Sequence, residues 1–102
     1  MDRKEFIKNE INLYPDDPFN HYLLGMEFQK EGDINKALES FKYIATIFPK
    51  YIATYYTLAT LLLETNQDVE AKIYILQGIA EAEKKGAAKT SKELKQLLEL
   101  NY

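Results

Sequence analysis

The chain has 102 residues, 46% of them hydrophobic and 28% charged, with three prolines, four glycines, no cysteine and no tryptophan. That length accommodates one small domain with a single core, and the hydrophobic content excludes a disordered chain. Sixteen acidic against thirteen basic residues give a net charge of −3, divided as nine against seven before Tyr51 and seven against six from Tyr51 on. No basic region stands ready to neutralise phosphates, so nucleic-acid binding is not expected.

The absence of cysteine excludes a disulfide framework, a thiolate zinc site, an iron–sulfur cluster and a cysteine nucleophile. Asp2, Arg3, Lys4 and Glu5 stand where an export signal needs an apolar stretch, so a cytoplasmic location is the expectation. The longest uncharged run extends only from Tyr51 to Leu63 and includes Thr54, Thr57 and Thr60. A bilayer needs about 20 apolar residues, so this run reads as a buried helix and no membrane association is expected.

In chain order, Asp2 and Glu5 are spaced as a capping box and Ile7, Ile11 and Tyr14 share a face, which predicts a helix over 2–14. Asp17 can cap a second helix with Pro18 at its first position, where a missing N–H costs nothing. Tyr22, Leu23, Met26 and Phe28 recur at helical spacing until Gly32, which can end the helix in the left-handed conformation. Asp33 caps a third helix carrying Ala37, Leu38, Phe41, Ile44 and Ala45, and Pro49 stops it. A fourth helix ends at Asn66, and a fifth continues to Gly86. Thr90 and Glu93 are spaced as another capping box before Leu94, Leu97 and Leu98, with Lys92, Lys95, Gln96 and Glu99 on a polar face.

The fourth and fifth helices repeat the second and third. At one constant offset Pro15 recurs as Pro49, Tyr22 as Tyr56, Leu24 as Leu58 and Ala37 as Ala71. Phe28 with Leu62, Phe41 with Ile75, Leu13 with Ile47 and Tyr14 with Phe48 are similar pairs in the same register. A duplicated two-helix unit accounts for every pair. Gly25, Ala37, Ala59 and Ala71 stand where larger side chains would hold paired helices apart, which justifies the cost of about 1 kcal/mol for a glycine inside a helix.

These residues resemble the tetratricopeptide repeat family, whose unit reads W-x-x-L-G-x-x-Y, A-x-x-x-F, then P, and whose period is the offset found in this chain. The first unit offers His21, Leu24, Gly25, Phe28, Ala37, Phe41 and Pro49, departing at His21 and at Ile44. The second offers Tyr55, Leu58, Ala59, Leu62, Ala71, Ile75 and Gly78, with Glu83 in place of the proline, so its second helix should run on. The resemblance implies an all-α fold of antiparallel helix-turn-helix repeats stacked in a short right-handed superhelix. A single domain over 1–102 would then comprise a half-repeat helix (1–14), repeat 1 (18–51), repeat 2 (52–85) and a capping helix (90–102). It also implies a concave groove lined by the first helix of each unit, here Phe19, Tyr22, Met26 and Gln29, then Ala53, Tyr56, Thr60 and Leu63. The carboxylate clamp with which some members grip chaperone C-termini needs Lys and Asn, whereas Tyr22, Met26 and Thr57 stand there.

An enzyme is not expected. His21 is the sole histidine, Ser40 and Ser91 have no second histidine to activate them, and Asp16–Asp17 lack the further ligands of a calcium loop. Gly25, Gly32, Gly78 and Gly86 are too scattered for a phosphate loop, so neither cofactor nor metal is called for. The expected function is a non-catalytic interaction module or adaptor that holds a peptide or helix in an apolar, aromatic groove. The alternative is a structural homo-oligomer that spends the same surface on a second copy, since two repeats fall short of the roughly three that usually secure a stack.

Overall fold

The computed structural model describes residues 2–102 and shows six helices: α1 (Arg3–Leu13), α2 (Pro18–Lys30), α3 (Ile34–Ile47), α4 (Ala53–Glu64), α5 (Asp68–Lys85) and α6 (Ala88–Asn101). No strand occurs among the described residues. The all-α, six-helix expectation therefore holds. The chain divides between Phe48 and Pro49 into two compact units of three helices each.

In the first unit α2 pairs with α3, and α1 lies against α2. Each helix starts where its cap residue dictates. Asp2 accepts from the Glu5 N–H at 2.8 Å, Asp17 from Phe19 at 3.0 Å and Asp33 from Lys36 at 3.4 Å, each satisfying one amide left over by helix geometry. Ile7, Phe28, Ala37, Leu38, Phe41, Ile44 and Ala45 form the core. Gly25 sets the distance between α2 and α3, because a Cβ there would stand 2.5 Å from Cε1 of the buried Phe41. The α1–α2 contact also carries exposed ion pairs, Arg3–Glu27 at 2.6 Å and Lys4–Glu31 at 3.0 Å. Such pairs contribute little, and the buried Ile7 anchors α1.

In the second unit α5 lies between α4 and α6. Tyr55, Leu58, Ala59, Leu61, Leu62, Ala71, Ile75, Ala82 and Leu94 are buried. The Tyr55 hydroxyl donates to the Pro49 carbonyl at 2.6 Å and accepts from Gln77 Nε2 at 3.1 Å. Gly78 is the close approach here. A Cβ on it would meet Tyr55 Cβ at 2.6 Å and Leu94 Cδ1 at 2.9 Å, so one glycine admits a helix on each side of α5. Without a proline at Glu83, α5 continues to Lys85 as expected.

The ends of the helices repeat as their sequences do. After α2 the Asp33 N–H bonds to the Phe28 carbonyl and the Gly32 N–H to that of Gln29, with Gly32 at φ 82°. After α4 the Gln67 N–H bonds to Leu62 and the Asn66 N–H to Leu63, with Asn66 at φ 61°. This is one closing motif at equivalent places in the two units, with asparagine taking the left-handed position that glycine otherwise fills. Tyr14 (φ −131°, ψ 67°) and Phe48 (φ −125°, ψ 60°) adopt one conformation before Pro15 and Pro49, outside the α region that a proline ring disfavours for the residue before it.

One expected element start is wrong. Thr90 and Glu93 form no capping box: α6 begins at Ala88, with Ala87 in the cap position and no side-chain cap bond. The Ala87 N–H is already held by the Ala82 carbonyl in the turn that closes α5, and the Ala87 carbonyl accepts from Ser91. The chain reverses so tightly at Gly86 (φ 73°) that helical geometry resumes before Thr90 is reached.

Candidate functional site

The separations of three, four and three among Phe19, Tyr22, Met26 and Gln29 place them on one face of α2. Phe19 is 50% and Met26 42% exposed. Tyr22 and Gln29 are half-buried. The Tyr22 ring lies 5.6 Å from that of Phe41, inclined at 52°, which ties it to the core of the unit. The Asp17 cap and Pro18 fix the first turn and with it the backbone that carries Phe19.

Ala53, Tyr56, Thr60 and Leu63 share a face of α4 with the same separations. Ala53 is exposed, Tyr56 is 41% exposed, and Thr60 and Leu63 are half-buried. The Thr60 hydroxyl donates to the Tyr56 and Thr57 carbonyls at 3.0 Å each. Bonding back to its own helix satisfies the hydroxyl locally. Each expected set is thus gathered on a single helix face with partial exposure, and neither set holds a charge.

His21 and Tyr55 occupy equivalent places in their units, but Tyr55 is fully buried and His21 only half-buried. The His21 ring is 4.7 Å from Tyr43 and 6.1 Å from Phe48. Tyr43 is the counterpart, in the first unit, of Gln77, which binds the Tyr55 hydroxyl. Burial depresses the imidazole pKa below its ordinary value, with Asp17 pulling weakly the other way. His21 thus packs in an aromatic cluster on its unit. Among the described residues no three of His, Cys, Asp and Glu come together as a metal-holding group, and no helix is long and apolar enough to cross a membrane.

A further exposed apolar face, on α5, is made by Val69, Ile73 and Leu76 and was not anticipated from the sequence. Its four-and-three spacing was legible, but the inner face of the same helix repeats with the same period.

The profile of the tetratricopeptide repeat family matches residues 28–98. A tetratricopeptide repeat domain protein from Salinibacter ruber is similar in its solution NMR structure, with a TM-score of 0.77 and 32% identity over 81% of this chain and 84% of that one. A crystal structure of a tetratricopeptide repeat domain protein from the same organism gives 0.74 and 32% over 80% and 91%. No curated protein matches the sequence.

Proposed function

This chain belongs to the tetratricopeptide repeat family, whose members generally mediate protein–protein interactions without catalysis, and from that premise we propose that it is an adaptor holding an apolar peptide or helix. The observation that carries this reading is that one face of α2 and one face of α4 are partly exposed, uncharged and apolar, with Phe19 and Met26 on the first and Tyr56 on the second. Tyrosine and phenylalanine offer large, stiff contact areas and methionine an adaptable one, and aromatic anchors carry much of the binding energy where a partner buries them. A helix with an apolar stripe is the fitting ligand, since no cation on either face would reward a carboxylate. The absence of the clamp lysine and asparagine argues against chaperone C-termini as ligands, and the evenly mixed acidic surface against nucleic acid.

The test is selection of apolar helical peptides from a displayed library on the immobilised protein, followed by affinity measurement on alanine variants. Phe19→Ala, Met26→Ala and Tyr56→Ala should each weaken the selected peptides by about tenfold or more with unchanged far-ultraviolet circular dichroism. Peptides that bind all three variants as well as the wild type would remove these faces from the reading.

A further inference from the structure

Met26 lies on the apolar face of α2, with Tyr22 four residues before it and Gln29 three after. It is 42% exposed, although methionine is among the residues most often buried. The chain has two methionines and no cysteine, so thioethers are its only sulfur groups. A thioether takes up an oxygen atom from a peroxide at its sulfur, and solvent exposure makes that transfer easier. The duplication supplies a control on what the fold requires here. The equivalent residue of the second unit is Thr60 on α4, half-buried and carrying a hydroxyl that bonds back to its own helix. A polar oxygen is thus compatible with the repeat at this place, whereas the neighbouring Gly25 and Phe28 are buried in the unit.

Resting on the reading of this face of α2 as a ligand-binding surface, we propose that Met26 is a redox modification site, whose conversion to the sulfoxide by hydrogen peroxide releases the apolar helical ligand without unfolding the protein. In that step the Met26 Sδ lone pair attacks one peroxide oxygen. An S–O bond forms and the O–O bond breaks, sulfur is oxidised by two electrons, and the proton of the transferred oxygen passes to the departing one, which leaves as water. The product has nearly the shape of methionine but carries a strong dipole. In the free protein water solvates that dipole. Beneath a ligand the water is expelled, and the apolar stripe has no donor to replace it, so the cost falls on the complex. Methionine sulfoxide reductases reverse the change, the oxygen leaving as water while two thiols become a disulfide.

Hydrogen peroxide treatment of the folded protein should add one oxygen to the proteolytic fragment containing Met26, read by mass spectrometry, with unchanged far-ultraviolet circular dichroism. Peptides selected on the untreated protein and weakened by Phe19→Ala should bind the oxidised protein about tenfold or more weakly and recover after treatment with methionine sulfoxide reductase and dithiothreitol. Met26→Leu, whatever its starting affinity, should show no change on the same treatment. Saturating peptide should slow the oxidation of Met26, because the bound helix covers it. Undiminished binding by the oxidised protein, a loss that persists in Met26→Leu, or unfolding on oxidation would each overturn the proposal while leaving α2 its binding face. Peptides indifferent to both Phe19→Ala and Tyr56→Ala would instead remove the faces themselves, and this proposal with them.

Discussion

At the scale of single residues, the two units solve one problem with glycines on opposite helices. In the first, Gly25 on α2 yields to Phe41 on α3; in the second, Gly78 on α5 yields to Tyr55 on α4 and Leu94 on α6. Alanine in a helix ordinarily gains about 1 kcal/mol over glycine, yet Gly25→Ala and Gly78→Ala should each destabilise the protein by about 1–3 kcal/mol, because the side chains in the way are buried and cannot withdraw. Urea denaturation measures this, and a raised midpoint would contradict it. Tyr55→Phe should cost about 1–2 kcal/mol, since it removes a donor from the Pro49 carbonyl and takes from Gln77 Nε2 the acceptor that the hydroxyl supplies. His21 adds a pH dependence. Its folded pKa is depressed by burial, so the unfolded chain takes up the proton first. Stability is full above the unfolded value of about 6.5 and declines as pH falls through it towards the folded value. In thermal melts between about pH 7 and pH 5, His21→Tyr, which installs the residue found at position 55, should lose less of its melting temperature than the wild type.

At the scale of elements, the caps carry most of the punctuation. Asp2, Asp17 and Asp33 start three helices as their sequence positions require, and Gly32, Asn66 and Gly86 end three with one pair of hydrogen bonds. Asn66 tests the equivalence. Asn66→Gly should leave stability unchanged or slightly raised, while Asn66→Ala should lower it by about 1 kcal/mol, because a Cβ without a local hydrogen bond is strained at positive φ. Chemical denaturation of both variants decides it. These signals were readable because each acts between near neighbours in the chain. The start of α6 was not, because Ala87 and Ala88 carry no capping chemistry and the helix begins there only because the turn at Gly86 delivers the chain already reversed.

At the scale of the whole molecule, burial is unevenly shared. α1 buries only Ile7, whereas α4 buries Thr54, Tyr55, Leu58, Ala59, Leu61 and Leu62. Hydrogen exchange should release the amides of α1 well before those of α4 and α5, since local opening costs little where little apolar surface is lost. Equal protection of α1 and α4 would contradict that gradient. The exposed Arg3–Glu27 and Lys4–Glu31 pairs will not narrow it, being open to water and to screening by salt.

From the sequence alone follow the helical class, the register of the duplication, the starts of α1, α2 and α3 at their aspartate caps, and the composition of the faces on α2 and α4. Each of these depends on spacing and local backbone preference, which the order of residues expresses directly. What only the tertiary structure decided is how far each side chain is covered. That Tyr22 leans on Phe41, that Gly78 receives Tyr55 and Leu94 together, and that Val69, Ile73 and Leu76 remain uncovered are facts about neighbours distant in the chain. A periodic apolar stripe reads the same whether it faces a core or water, so the pattern on α5 acquired its meaning only when the packing showed which of its two apolar faces was already occupied.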